Sequence, residues 1–302
     1  MAMMSIQIIL LGISVILITR MVESEEKNKP FLFALFSLSF PYIVFGLILE
    51  QYVISLFYLV LCLYSYFYKK DEMNYSFLGA TGTLLTSGIV FPLISNTKSF
   101  KKWFINAFKL ALIFIAIMIV SGQIVMLFNL KTTLVSLSRF TGETVPFIDR
   151  LNQYFHFIRS LFLAPPGEVI YDNLFLTKPY YSYQLVPVTS LSIIGIIIFA
   201  ITIVSIIVNR KEKITIFNAL WIVFSFIVLC LVGWGSRENG LILYSLYFSF
   251  PFYILYYMLL RKIFHNKKIF RVLIVITIIA LLAFNLHEIF RIIKFGLIYY
   301  PR

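Results

Sequence analysis

Residues 233–240, which read GWGSRENG between two apolar runs, hold the densest polar chemistry of the chain. Arg237, Glu238 and Asn239 supply a cation, an anion and an amide in three successive residues. A guanidinium binds phosphate oxygens through forked hydrogen bonds, and flanking glycines let the backbone approach a ligand. The segment predicts a recognition site for an anionic lipid headgroup, formed by these three residues and Trp234, with Arg237 on the phosphate. The alternative is an interfacial turn in which Arg237 pairs with Glu238.

Three glutamates are the candidate acid–base groups of the chain. Glu50 separates two apolar stretches, Glu143 lies in the segment FTGETVPF, and Glu238 belongs to the GWGSRENG segment. A carboxylate can act as a general base or accept hydrogen bonds from sugar hydroxyls. Glu50 could instead mark a helix turn in headgroup water, so the catalytic role stays open among the three. The sequence contains no soluble-enzyme motif, and its histidines do not have the spacing of a zinc site.

The composition indicates what must position these residues. Hydrophobic residues make up 61% of the 302 positions, charged residues only 13%, and the mean hydropathy is +0.93. Only helices or a closed barrel can span lipid, and the long continuous apolar runs predict helices. We therefore predict an all-α fold, a polytopic transmembrane bundle forming one integral membrane domain over residues 1–302. The net charge of +13 comes from basic residues that flank the spans, so membrane lipid is the expected partner, and nucleic acid is not.

The apolar runs define the predicted spans and their order. They cover residues 5–19, 31–46, 50–68, 75–96, 103–130, 190–208, 214–232, 240–260 and 269–290, with an outer loop at 131–189. The basic clusters at 210–213 and 261–271 predict which ends face the cytoplasm. A consistent orientation favours a re-entrant helix pair at 75–96, where glycines and a proline interrupt the run. A plain crossing is the alternative.

Within the outer loop, residues 147–163 show apolar and aromatic side chains at helical spacing. The opposite face carries Asp149, Arg150, Asn152, Gln153 and Arg159. This pattern predicts an amphipathic helix in the membrane interface, whose role is to pack on the bundle or to form one wall of a substrate groove. Ala164-Pro-Pro-Gly167 should end the helix, and Tyr180, Tyr181 and Tyr183 predict an aromatic belt where the chain re-enters the bilayer.

The order of these elements resembles the membrane half of the GT-C superfamily, the glycosyltransferases that use polyprenyl-phosphate sugars. The likeness rests on residues 31–68, residues 79–93 and the outer loop. The segments FTGETVPF and 233–250 are similar to signatures of an uncharacterised bacterial GT-C-like family. The resemblance implies sugar transfer at the outer face of the bacterial cytoplasmic membrane, in assembly of the cell envelope. It implies a polyprenyl-phosphate sugar as the lipid partner.

The chain departs from that family at its most informative position. GT-C enzymes keep an acidic residue in a large outer loop after their first helix, and this sequence leads from 5–19 directly into 31–68. The resemblance therefore implies a glycosyltransferase, or part of one, whose acidic role lies elsewhere. It equally fits a non-catalytic or split subunit completed by a second membrane protein. A transporter of lipid-linked substrates is a third hypothesis. The sequence identifies no cofactor. A divalent metal could stabilise the phosphate that leaves during sugar transfer, but no ligand pattern in the sequence supports one.

Overall fold

The computed structural model describes residues 2–48, 50–68, 100–120, 144–171, 179–183, 191–264 and 266–300, with single positions between 121 and 143. Helices dominate this part of the chain, and its one sheet has two strands. The helices are α1 (Ala2–Val22), α2 (Lys29–Ser37), α3 (Phe40–Leu47), α4 (Tyr52–Tyr68), α5 (Phe100–Val120), α6 (Phe147–Phe162), α7 (Ile193–Val208), α8 (Lys213–Phe226), α9 (Ser245–Ile263) and α10 (Lys267–Tyr299). The strands are β1 (Gly167–Ile170) and β2 (Tyr180–Tyr183). The predicted re-entrant pair at 75–96 lies outside the described residues.

In the described part of the chain, four helical segments are long and apolar enough to cross a membrane: Met3–Val22, Lys213–Leu231, Gly240–Ile263 and Lys267–Tyr299. The pair α2–α3 would make a fifth span if the two helices count as one, and α4 and α7 are apolar but shorter. Every backbone group must find a partner within the chain when lipid surrounds it, and continuous helix supplies that partner. The structure thus contains the long apolar helices that the composition predicted and that a membrane-spanning protein requires.

Helix α9 is the central element of the described bundle. In the segment Gly240–Ile263, 78% of the most apolar stretch of 18 residues is buried, whereas only 22% of the corresponding stretch of α10 is buried. Helix α9 packs against α2, α3, α4, α6, α7, α8 and α10, while α1 lies along α4. The ring of Tyr253 meets Phe36 at 5.0 Å and Phe162 at 4.7 Å, both edge-to-face. Such aromatic packing fixes the positions of the helices that surround α9.

The predicted span at 31–46 is two helices and not one. Helices α2 and α3 meet at an angle of 63°, and Ser39 between them is extended, with ψ at 151°. Pro41 cannot donate a hydrogen bond back to the Ser37 carbonyl, and it is tolerated in the first turn of a new helix. The prediction of a single helix was wrong because the proline interrupts the backbone ladder inside the apolar run.

A buried asparagine of α10 satisfies the backbone that this break leaves open. The Asn285 amide nitrogen donates to the Leu38 carbonyl at 2.9 Å and to the Phe162 carbonyl at 3.0 Å. Its oxygen accepts a hydrogen bond from the Ala164 N–H at 2.9 Å. One side chain thus joins the break between α2 and α3 to the end of α6. A break in a helix is tolerated within lipid when such partners are present.

The predicted turn at Glu50 is confirmed, because α3 ends at Leu47 and α4 begins at Tyr52. Other helix boundaries in the structure differ from the predicted ones. Helix α8 continues as a π-helical turn (Ile227–Leu231), and a 3₁₀ helix (Arg237–Tyr244) precedes α9. Helix α10 runs to Tyr299 and not to 290; its 33 residues span about 50 Å, which exceeds a hydrocarbon core of about 30 Å.

Helix α6 packs into the bundle against α3, α7 and α9, in line with the packing role considered for it. The predicted division of its faces was partly wrong. Asn152 and Gln153 are only 6% and 7% exposed, whereas Phe147 and Ile148 are 49% and 58% exposed. The helix is covered on several sides, so a two-sided pattern could not locate its buried face. Gly195 of α7 permits the approach, since a Cβ there would lie 1.9 Å from the Phe155 carbonyl oxygen.

Strands β1 and β2 form an antiparallel hairpin that the sequence did not predict. As expected, α6 ends before Ala164-Pro-Pro-Gly167. The hairpin lies against the last third of α10: the Tyr181 hydroxyl donates to Glu288 at 3.1 Å, and Arg291 donates to the Gly167 carbonyl at 3.0 Å. The tyrosines predicted as a bilayer belt are thus part of a strand, with Tyr181 and Tyr183 half-buried.

Candidate functional site

The turn after α8 has a backbone that requires glycine. Gly233 and Gly235 have φ angles of +72° and +75°, in the left-handed region. The Trp234 N–H donates to the Val228 carbonyl at 2.9 Å, and the Ser236 N–H donates to the Gly233 carbonyl at 3.1 Å. A Cβ on Gly235 would lie 2.7 Å from the Tyr244 ring. The glycine pattern of the sequence therefore encodes a tight reversal at the start of the 3₁₀ helix.

Two tyrosines connect this turn to the turn that contains Glu50. The Trp234 indole N–H donates to the Tyr244 hydroxyl at 2.7 Å. The Tyr244 ring meets the Tyr52 ring edge-to-face at 5.7 Å. Tyr52 is 8% exposed and follows Glu50 by two residues. The structure therefore brings Glu50 and Trp234, which were predicted separately, into one region.

A glutamine of α1 holds the Glu50 turn in place. The Gln7 side-chain nitrogen donates to the Phe45 and Ile48 carbonyls, at 2.6 Å for Ile48. Its oxygen accepts a hydrogen bond from the Glu50 N–H at 3.3 Å. Gln7 thereby satisfies carbonyls at the end of α3 that have no helical partner. We call this region the aromatic end, meaning Gln7, Glu50, Tyr52, Trp234 and Tyr244.

An amphiphilic groove opens at the aromatic end. Its volume is about 330 Å³, and it is lined by Met3, Ile6, Gln7, Leu10, Glu50, Gln51 and Ile54. Four of these side chains are apolar, and the other three supply a carboxylate and two amides. Such a lining suits a molecule with a hydrocarbon part and a polar part that donates hydrogen bonds.

Helix α6 adds polar groups beside the aromatic end. Arg150 donates to the Leu231 carbonyl, and the Gln153 side-chain nitrogen donates to the Ser236 carbonyl at 3.2 Å. The Gln153 oxygen and the Arg150 Nε have no hydrogen-bond partner among the described residues. Buried polar atoms without a partner are exceptions that need an explanation, and a ligand or water would supply one.

The sequence pattern points to only part of this region. It selected Glu50 and Trp234 but not Gln7, Tyr52 or Tyr244. The position of Gln7 inside the first apolar run was a signal that could have found it. The backbone of Arg237, Glu238 and Asn239 forms the start of the 3₁₀ helix, and their side chains lie outside the described part of the structure. Glu143 also lies outside the described residues.

The opposite end of α1 carries a network of charges. Glu23 is 1% exposed and accepts hydrogen bonds from the Tyr257 hydroxyl and from the Glu25 N–H at 2.8 Å. Arg261 of α9 lies 3.5 Å from the same carboxylate. Lys267 pairs with Glu25 at 2.9 Å, and Arg271 donates to Asn28 at 2.9 Å. We call these residues the charged end: Glu23, Glu25, Asn28, Tyr257, Arg261, Lys267 and Arg271.

The environment shifts the pKa values of several groups outside the apolar spans, Glu25 and Tyr181 among them. The hydrogen bond from Lys267 is the largest cause of a lowered pKa at Glu25. Burial, followed by the charge of Glu288, raises the pKa of Tyr181 to about 12. Both residues therefore keep their ordinary charge at neutral pH, and Tyr181 acts as a hydrogen-bond donor in the hairpin.

Within the described ranges, no group of three His, Cys, Asp or Glu side chains could hold a metal ion. No protein-family model, no curated protein and no solved structure matches this chain. The features that bear on its function are therefore the two polar ends and the apolar surfaces between them.

Proposed function

We propose that this chain is a GT-C-like membrane glycosyltransferase, or part of one, that binds a polyprenyl-phosphate sugar at the aromatic end. The supporting observation is that two separate segments behind the resemblance meet there. The 31–68 segment contributes Glu50 and Tyr52, and the 233–250 segment contributes Trp234 and Tyr244. The Tyr52 ring packs on the Tyr244 ring, and the Tyr244 hydroxyl accepts a hydrogen bond from the Trp234 indole. A chance likeness would not require these segments to share a site.

The proposal includes a multi-pass topology with the charged end in the cytoplasm. Arg261, Lys267 and Arg271 of the charged end lie beside the end of α1. Ser205 of α7 donates to the Leu255 carbonyl at 2.6 Å, so the basic residues at 210–213 follow near the same end of α9. Clustered lysine and arginine residues favour the cytoplasmic side. The aromatic end then faces outward.

The residues of the aromatic end have chemistry that suits such a substrate. Glu50 would accept hydrogen bonds from the sugar hydroxyls, while the apolar side chains of the groove would contact the first isoprene units. Trp234 offers an aromatic face for the sugar ring. Arg237 would bind the phosphate through its guanidinium, which stabilises the leaving group as negative charge develops on it. Glu50 or Glu238 would act as the general base.

The test is binding and transfer with a radiolabelled polyprenyl-phosphate sugar, using the purified full chain in detergent or nanodiscs. Arg237→Ala should weaken saturable binding at least tenfold, because a charged hydrogen bond to phosphate contributes about 1.5–3 kcal/mol. Glu50→Gln should retain binding and lose transfer. The matched control is Glu168→Gln, which neutralises an exposed carboxylate of the hairpin and should change neither quantity.

The three outcomes separate the competing functions. Transfer that depends on Glu50 or Glu238 supports a catalytic chain. Saturable binding without transfer supports the second candidate, a non-catalytic or split subunit of a glycan assembly system that needs a second membrane protein. Binding that is absent, or equal in the Arg237→Ala variant, overturns the lipid-phosphate site.

A further inference from the structure

A second groove runs along the other side of α1, between α1 and the bent pair α2–α3. Its volume is about 350 Å³, and its lining is almost wholly apolar: Ile8, Leu11, Gly12, Val15, Phe33, Ser37, Tyr42, Ile43, Gly46 and Leu47. We call it the lateral groove. The 63° bend directs α3 away from the line of α2, so the two helices cannot both pack flat against α1.

Two glycines keep the floor of the lateral groove open. A Cβ on Gly12 would meet nothing within 4 Å, and a Cβ on Gly46 would meet only the end of Leu11 at 3.9 Å. Larger side chains at either position would therefore project into the groove without displacing the backbone. The open space therefore results from the glycines at positions 12 and 46 as well as from the bend between α2 and α3.

The lateral groove adjoins, at Phe33, a cavity with a charged mouth. The cavity has a volume of about 450 Å³, shares Phe33 with the groove, and is lined also by Ile16, Thr19, Arg20, Glu26, Lys29 and Pro30. On α1 the two sites follow the single stripe Ile8, Gly12, Ile16 and Arg20, spaced four residues apart. From Ile8 to Arg20 the helix rises about 18 Å, close to the roughly 15 Å of one leaflet of a bilayer.

The charges at this mouth leave one cation without an acidic partner. Glu23 is engaged by Tyr257 and Arg261, and Glu25 is engaged by Lys267. Glu26 pairs with Lys29 but is 83% exposed, and such a surface pair is weak. Arg20 is exposed, and its guanidinium has no ion pair or hydrogen bond among the described residues. A basic mouth above an apolar groove one leaflet long complements a single anionic lipid.

We propose that the lateral groove binds one acyl chain of an anionic membrane phospholipid, with the lipid phosphate held at Arg20 and Lys29. The lateral groove opens on a different side of α1 from the Glu50 groove, and its phosphate end at Arg20 lies at the other end of the helix. It does not depend on the polyprenyl-phosphate proposal. The phosphate accepts charge-assisted hydrogen bonds, and the acyl chain fills the space above Gly12 and Gly46.

The test uses the full chain in phosphatidylcholine nanodiscs with a small fraction of phosphatidylglycerol that carries a diazirine on one acyl chain. After photolysis, mass spectrometry locates the labelled peptides. Label should concentrate on residues 8–16 and 42–47, and phosphatidylcholine with the same diazirine should label them much less. Arg20→Ala should lower the phosphatidylglycerol label about fivefold, the effect of one basic residue near an anionic surface. Arg210→Ala, which removes an exposed arginine from another loop, should not.

A second pair of variants tests the apolar part of the site. Gly12→Leu should block labelling of residues 42–47, whereas Gly296→Leu should leave it unchanged, because a Cβ at Gly296 also meets nothing within 4 Å. Equal labelling by the two lipids, or unchanged labelling in Arg20→Ala and Gly12→Leu, would overturn the proposal. The Arg20 variant alters only an exposed side chain, so a folding defect of Gly12→Leu would not leave the site untested.

Discussion

The two ends of α1 hold polar residues in opposite ways. At the charged end, the carboxylates of the loop after α1 pair with basic residues of α9 and α10. Glu23 is buried and has three partners, which are the Glu25 N–H, Tyr257 and Arg261. At the aromatic end, contacts are made by rings, hydroxyls and amides, and polar atoms of Gln153 and Arg150 beside it have no partner within the described chain. The first arrangement connects helices, whereas the second leaves hydrogen-bonding capacity for a ligand.

The difference indicates where stability and function lie in a helical membrane protein. A buried polar group with all its partners fixes helix positions, and removing one partner leaves the others unsatisfied. A buried polar group without a partner costs stability, so it is retained where something else binds it. We therefore expect substitutions at satisfied groups to act on unfolding and substitutions at the aromatic end to act mainly on binding.

The largest effect is expected at Asn285, midway along α10. Asn285→Leu removes three hydrogen bonds to the backbone and should lower the free energy of unfolding by about 3–5 kcal/mol. Asn218→Leu is the matched control: this asparagine is 1% exposed, and its side chain has no partner among the described residues. The Asn218→Leu substitution should leave the free energy of unfolding unchanged or raise it. Thermal unfolding of both variants in one detergent measures the difference, and equal losses would contradict the distinction between satisfied and unsatisfied groups.

The next effect is expected at the charged end. Glu23→Ala leaves the Tyr257 hydroxyl and Arg261 without their acceptor and should lower the free energy of unfolding by about 2–4 kcal/mol. Glu26→Ala, in the same loop but 83% exposed, should change it by less than about 0.5 kcal/mol. Denaturant titration followed by tryptophan fluorescence separates the two. A Glu23 variant as stable as the Glu26 variant would show that the network does not connect α1 to α9.

A smaller effect on stability is expected at the aromatic end. Tyr244→Phe keeps the ring on Tyr52 but removes the hydroxyl, which accepts from the Trp234 N–H and also hydrogen-bonds Tyr52, at a cost of about 1–2 kcal/mol. Tyr68→Phe is the control, since that hydroxyl is exposed and donates to the Arg20 carbonyl. Unfolding should differ little between them, while binding of the lipid-linked sugar should fall only in the Tyr244 variant. Loss of stability without loss of binding would place the sugar elsewhere.

The smallest effect is the pH dependence of the exposed pair Glu25–Lys267. Because the pKa of Glu25 is lowered in the folded protein, the pair stabilises the fold above the ordinary pKa of 4.5 and loses this contribution as pH falls below it. The melting temperatures of wild type and Glu25→Gln should therefore differ at neutral pH and converge in acid. High salt should also reduce the difference. A difference that grows in acid would reverse the assigned sign.

The sequence predicted the elements of this fold better than their faces. The turn at Glu50 and the end of α6 before Ala164-Pro-Pro-Gly167 followed from local signals, a polar residue between apolar runs and a pair of prolines. The burial of Asn152 and Gln153 did not follow from the local pattern; the Gln153 side chain, for example, donates to the Ser236 carbonyl, which the turn after α8 supplies. The candidate site was predicted only in part, as two separate segments.

Composition and local pattern were enough to determine a bundle of apolar helices, because lipid leaves no other partner for the backbone of long apolar runs. They also marked the glycine turn at Gly233 and Gly235. Tertiary structure alone decided that Asn285 would close the break at Leu38, that Glu50 and Trp234 would meet through two tyrosines, and that Arg20 would stand at the mouth of an open groove. These features depend on side-chain packing between helices distant in sequence, which hydropathy and spacing do not encode.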